Sequence, residues 1–97
     1  MKIDVNWEDK KCTLLIEGRI DTMTSAELEQ CVAENAQKCE KMVMDLAQVD
    51  YVSSAGIRVI VQAHQTLGKE NFVLKSVPAN VMELLKMTGF TKVLSFE

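Results

Sequence analysis

Two adjacent serines stand where an apolar segment gives way to a helical one. Ser53 and Ser54 precede Gly56, and a serine hydroxyl can act as a nucleophile or accept a phosphoryl group. A nucleophile needs a general base within about 3 Å. The only histidine, His64, lies ten residues after Ser54 on the same predicted helix, about 15 Å away along its axis. Serine–histidine catalysis is therefore not expected, and we interpret His64 as a partly exposed helix residue.

Three carboxylates offer a second kind of chemistry. Asp21, Asp45 and Asp50 stand near the predicted ends of strands, and parallel strands bring such ends to one edge of a sheet. A group of acids there could hold a divalent cation, but the same residues are common in turns and helix caps. The sequence also lacks the motifs of nucleotide-binding loops, zinc proteases and serine hydrolases. We expect no metal, no cofactor and no enzymatic activity.

Composition narrows the classes of partner. The 97 residues fit one domain, 1–97, and the formal net charge of -3 argues against nucleic acid, which is bound by clustered Lys and Arg. No apolar run approaches the ~18–20 residues of a membrane span, so no membrane partner is expected. Three cysteines without a CxxC spacing or a secretory leader predict free thiols in the cytoplasm, packed as small core residues: Cys12, Cys31 and Cys39.

The elements that must position these residues follow from periodicity. Alternation over Ile3–Trp7 and the segment Cys12–Glu17 predict a hairpin, and the apolar run Met42–Leu46 predicts a strand covered on both faces. Thr24 and Glu27 match a capping box, so a helix should begin there and continue to about Lys38. The remaining predictions are a helix from Ser53 to Gly68, a strand at Phe72–Lys75, a helix from Pro78 to Gly89 and an edge strand at Val93–Phe96.

This order predicts an α/β fold, a mixed four-to-five-stranded sheet with helices packed mainly on one face. On the second helix one stripe should face the core: Gly56, Val59, Ile60, Ala63 and Leu67. Ile57 and Val61 lie off that stripe, so we expect them to be exposed and available to a partner. At the start of this helix a serine can simply be a cap, or it can carry a phosphate that the helix end stabilises.

The segment Val43 to Val61, with its core Tyr51-Val-Ser-Ser-Ala-Gly-Ile57, resembles the STAS domain of bacterial anti-sigma factor antagonists. The loop Gly18-Arg-Ile-Asp21 is similar to the family's Gly-x-Leu-Asp loop. The segment Val81 to Phe90, with its Thr-Gly ending, is similar to the family's last helix. Together the matches span about residues 14 to 94.

The resemblance implies a partner switch. In such proteins the unphosphorylated form binds an anti-sigma factor, often a serine kinase, and so frees the sigma factor; phosphorylation at the helix start abolishes binding, and a serine phosphatase restores it. Aligning Gly56 with the family's glycine implies Ser54 as the acceptor, with Ser53 as the alternative. The residues expected to contact the partner are Asp21, Ser53, Ser54, Ile57, Arg58 and Val61.

Two other functions remain open on the sequence. The chain could be a STAS subunit of a lipid-transport or stress-signalling assembly, in which Ser54 is only a helix cap. The chain could also be a small enzyme or carrier that uses Asp21, Asp50 and Ser54. The missing general base and the small size count against this hypothesis. Phosphate incorporation that depends on Ser54 distinguishes the switch from the first alternative, and turnover without any partner would identify the enzyme.

Overall fold

The predicted N-terminal hairpin forms one edge of the sheet in the computed structural model, which describes residues 1–97. Strand β1, Lys2–Glu8, pairs antiparallel with β2, Lys11–Ile20. Val5 lies opposite Leu14, so the apolar side chains of both strands share one face. The hairpin prediction is confirmed, although β2 continues past Gly18, where the sequence predicted its end.

After the hairpin, helices and strands alternate. The elements are α1 Thr24–Ala36, β3 Lys41–Val52, α2 Ser54–Leu67, β4 Phe72–Lys75, α3 Ala79–Met87, a 3₁₀ turn Phe90–Lys92 and β5 Ser95–Phe96. The sheet order is β1-β2-β3-β4-β5, and every pair except β1 with β2 is parallel. Since each helix crosses between neighbouring parallel strands with the usual right-handed sense, all three lie on one face. The predicted α/β fold is confirmed, with five strands.

The core lies between this helical layer and the sheet. Alternate residues of β2, including Leu14 and Ile16, are buried against the helices. The apolar run of β3, Met42–Leu46, is buried on both faces of the sheet. Val43 shows this, since it is only 2% exposed although it does not belong to the main core cluster. The helices contribute Leu28, Val32, Ile57, Val59, Ile60, Ala63, Val81 and Leu85.

The predicted capping box at the start of α1 is wrong. The N-cap position is Met23, which has no capping side chain, and the helix ends at Ala36 rather than near Lys38. The Thr24 hydroxyl accepts from the Asp21 N–H at 2.8 Å and donates to the Arg19 carbonyl at 2.8 Å. The loop uses this hydroxyl, and the Asp21 carboxylate binds the N–H groups of Met23 and Thr24 at the helix start.

Two strands differ in length from the prediction. Strand β3 continues to Val52, since β2 keeps pairing with it through two register shifts, so Asp50 and Tyr51 belong to a strand and not to a loop. The C-terminal strand shrinks to Ser95–Phe96, because the chain after Gly89 curls into the 3₁₀ turn. No helix combines the length and the apolar character that crossing a membrane requires.

Candidate functional site

The two serines occupy different environments at the start of α2. Ser53 is the N-cap in an extended conformation, and its Oγ accepts from the Gly56 N–H at 3.2 Å. Its own N–H donates to the Ile20 carbonyl at 2.8 Å, and the residue is buried. Ser54 is the first residue of the helix and is exposed. The capping interpretation therefore holds for Ser53, whereas Ser54 is accessible at the helix start.

Gly56 allows α2 to begin directly against the sheet. A Cβ at this position would lie 2.7 Å from Ile20 Cγ2 and 2.8 Å from Val52 Cγ1, much closer than side-chain carbons approach one another. Both contacts come from buried residues at the ends of β2 and β3. The absence of a side chain at Gly56 thus lets the start of α2, with Ser53 and Ser54, pack directly against the ends of β2 and β3.

Asp21 lies in the loop after β2 and holds that loop together. Its Oδ1 accepts from the N–H groups of Met23 at 3.0 Å and Thr24 at 2.9 Å. These hydrogen bonds, above all the one from the Thr24 backbone, hold the pKa of the Asp21 carboxyl below its usual value. The residue is half-buried, and its charged form is the one that organises the entry into α1.

The predicted acidic group does not form a metal site. No three of the His, Cys, Asp or Glu side chains are grouped so that they could hold a metal ion. Asp45 lies within β3, next to a register shift with β2, and its Oδ1 accepts from the Ala47 N–H at 3.0 Å. Asp50 is exposed, and its carbonyl accepts from Asn80 Nδ2 at 2.8 Å, which ties the end of β3 to α3.

An arginine and a tyrosine that the sequence did not single out lie beside these loops. The Arg19 guanidinium stacks over the Tyr51 ring at 4.5 Å from its centroid, and the two residues pair across β2 and β3. Both are exposed. Their pairing follows a register shift between Gly18 and Arg19, which periodicity in the sequence does not reveal. Tyrosine and arginine are the residue types that most often dominate binding at protein interfaces.

The prediction that Ile57 is exposed is wrong. It is only 5% exposed and belongs to the core, whereas Val61 is half-buried and packs against that core. Helix α2 is the middle helix of the layer, between α1 and α3, so its buried arc is wider than one stripe. Arg58 is exposed on the same helix.

A groove between α2 and α3 begins at Ser54. Its volume is about 510 Å³, and its lining is made by Ser54, Ile57, Arg58, Val61, Gln62, Gln65, Leu84, Thr88 and Phe90. Ile57 therefore contributes to the floor of this groove and not to a protruding surface. Arg58 is the only lining residue with a formal charge. The groove joins Ser54, Ile57, Arg58 and Val61 into one surface, whereas Ser53 and Asp21 do not line it.

The cysteines and the histidine take no part in this surface. All three thiols are free, and burial raises the pKa of Cys12 to about 12, so that thiol stays protonated and unreactive at neutral pH. Burial also raises the pKa of Cys31 and of Cys39. His64 is half-buried on α2, with its Nδ1 buried and without a hydrogen-bond partner.

The chain is thus a small α/β domain with an exposed serine at a helix start, beside a groove between α2 and α3. The chain belongs to the STAS domain family, whose model matches residues 2–97. This confirms the resemblance seen in the sequence.

Known proteins are similar over nearly the whole chain. BtrV of Bordetella bronchiseptica, which is named as an anti-sigma factor antagonist, is 30% identical over 96% of this chain and 83% of its own length. The crystal structure of an anti-sigma factor antagonist from Mycobacterium paratuberculosis matches with a TM-score of 0.88 and 25% identity, covering 98% of this chain and 83% of that one. Bacillus SpoIIAA in its phosphorylated form shares the fold, with a TM-score of 0.77 at 8% identity over 99% of this chain and 91% of that one.

Proposed function

We propose that this protein is an anti-sigma factor antagonist regulated by phosphorylation. Its unmodified form binds an anti-sigma factor of the serine kinase type and releases the sigma factor, and phosphorylation of Ser54 switches that binding off. The observation that carries the proposal is the similarity to proteins named as anti-sigma factor antagonists, over 96% of this chain for BtrV. On this proposal the chain is a binding module without catalytic activity of its own, and it works in the cytoplasm.

The difference between the two serines supports Ser54 as the acceptor. A kinase must reach the hydroxyl, and Ser54 is exposed whereas Ser53 is buried with its Oγ engaged by the Gly56 N–H. The kinase transfers the γ-phosphoryl group of ATP to Ser54 Oγ, the hydroxyl proton leaves to a base of the kinase, and ADP departs. A serine phosphatase restores the hydroxyl by hydrolysis. Since α2 begins at Ser54, the phosphate meets the positive end of the helix and the fold is retained.

The switch acts through charge at the binding surface. We propose that the partner covers Ser54, Arg58, Val61 and the groove floor at Ile57, and contacts the Asp21 loop beside them. A phosphate adds about -1.5 to -2 charge where the unmodified surface carries only a hydroxyl. Buried in the interface, that charge would lose its hydration without a matching partner, which costs several kcal/mol of binding free energy.

Phosphate transfer tests the acceptor directly. The purified serine-kinase anti-sigma factor of the same organism is incubated with labelled ATP and each of three chains: wild type, Ser54→Ala and Ser53→Ala. We expect labelling of the wild type and of Ser53→Ala, and none of Ser54→Ala. Circular dichroism of each variant shows whether it is folded.

The alternatives give different results in the same experiment. Labelling that persists in Ser54→Ala and disappears in Ser53→Ala would move the acceptor to Ser53. If the chain neither binds the kinase nor becomes labelled, the proposed switch is wrong. The chain would then be a STAS subunit of another assembly.

A further inference from the structure

Arg58 lies one helical turn after Ser54 on α2. Residues four apart on a helix are neighbours on its surface, with Cβ atoms about 5–6 Å apart. Both side chains are exposed, and both line the groove between α2 and α3. An arginine side chain in this position can reach a group attached to Ser54 Oγ without any movement of the backbone.

The Arg58 guanidinium has no anionic partner in the unmodified protein. The two salt bridges of the structure join Lys2 to Asp4 and Lys10 to Glu40, far from α2 in the sequence. The lining of the groove contains no carboxylate from α2, from α3 or from the 3₁₀ turn. The one cation of the groove is therefore free to bind an anion that appears at its edge.

We propose that Arg58 binds the phosphoryl group of phosphorylated Ser54. A guanidinium pairs with phosphate oxygens through two parallel N–H donors, and an anion placed four residues before a cation is the favourable order on a helix. The inference rests on the proposed function for the presence of that phosphate. It adds that the phosphate is held within the chain, so phosphorylation also withdraws Arg58 from the partner at the edge of the groove.

The pair is tested in the isolated full-length chain, with phosphoserine inserted at position 54 during translation. Two phosphorylated chains are compared, one with Arg58 and one with the substitution Arg58→Gln. The phosphate is titrated by ³¹P NMR. With Arg58 present, we expect its second proton to leave at a pH about 0.3 lower than in Arg58→Gln, since an exposed pair favours the dianion by that much. The comparison cancels the effect of the helix end, which is common to both phosphorylated chains.

Arg19→Gln is the matched control, because it removes the same charge from the same end of the sheet but not from α2. We expect it to change the phosphate titration less than Arg58→Gln, and Arg58→Lys to restore part of the effect. Equal titrations with and without Arg58, or a larger change in Arg19→Gln, would overturn the inference. A chain that shows the coupling but binds no anti-sigma factor would leave this inference standing and contradict only the proposed function.

Discussion

At the scale of residues, two adjacent serines have different environments. Ser53 closes the first turn of α2 from a buried position, and Ser54 is exposed. A comparable division concerns charge: the Asp21 carboxylate is occupied by backbone N–H groups, whereas Arg58 has no anionic partner. The residue types alone do not separate these roles, since both serines fit a helix cap and both charged residues fit a solvated surface.

The depressed pKa of Asp21 predicts how the stability of the fold depends on pH. The pKa of the Asp21 carboxyl is lower in the folded chain than its ordinary value of 3.8, so the ionised carboxylate stabilises the fold at pH values above 3.8. That contribution is lost as the pH falls through the pKa of the folded chain. Asp21→Asn keeps an oxygen that can accept from Met23 and Thr24 but does not titrate. Denaturant unfolding should show wild type more stable than Asp21→Asn near pH 6, with the gap closing below about pH 4. A gap that stays constant to pH 2 would contradict this role of the carboxylate.

At the scale of elements, the position of α2 depends on close contact with the ends of two strands. Gly56 lies so close to Ile20 and Val52 that a Cβ atom at this position would overlap both side chains. The same helix lies between α1 and α3, which is why the exposure predicted for Ile57 from a single apolar stripe is wrong. The groove beside Ser54 is a product of this arrangement, since its walls belong to α2, α3 and the 3₁₀ turn.

Gly56→Ala tests that contact. The added Cβ would overlap branched carbons of Ile20 and Val52, which are fixed in the core, so α2 must shift outward. Overpacking of this kind costs about 1–3 kcal/mol, and replacing a helical glycine with alanine returns about 1 kcal/mol. We expect the free energy of unfolding, measured in urea, to fall by about 1–2 kcal/mol. An unchanged or increased stability would mean that the helix start is not held as closely as the structure shows.

At the scale of the whole molecule, the order of elements could be predicted from the sequence because each strand and helix has a clear apolar period. The alternation of Ile3, Val5 and Trp7 and the continuous run at Met42–Leu46 were sufficient for the sheet. The family resemblance pointed to Ser54 as the acceptor, which stays a prediction, because Ser53, Ser54 and Gly56 lie within one short segment of the sequence.

What the sequence could not provide depends on contacts between distant segments. The stacking of Arg19 on Tyr51 requires the register shift between β2 and β3. The use of the Thr24 hydroxyl by the Asp21 loop, and not by α1, depends on where β2 ends. The groove likewise needs side chains from both α2 and α3, so it has no signature in either helix alone.

The proposed switch would act on the surface of a mildly acidic molecule. The formal net charge is -3, and one phosphate at Ser54 would bring it close to -5. That added charge would lie next to the only cation of the groove, on the surface that we propose the partner covers. The proposed switch therefore needs no rearrangement of the fold, only a difference in affinity for the partner between two forms of one chain.

The most direct test is calorimetric titration of the purified serine-kinase anti-sigma factor with the unmodified chain and with the chain carrying phosphoserine at position 54. Ser54→Asn, which is polar and uncharged, serves as the control for a change of shape without charge. We predict that the unmodified chain binds, that Ser54→Asn retains most of the affinity, and that phosphorylation weakens binding about 100-fold or more. Equal affinities for the unmodified and phosphorylated chains would contradict the account.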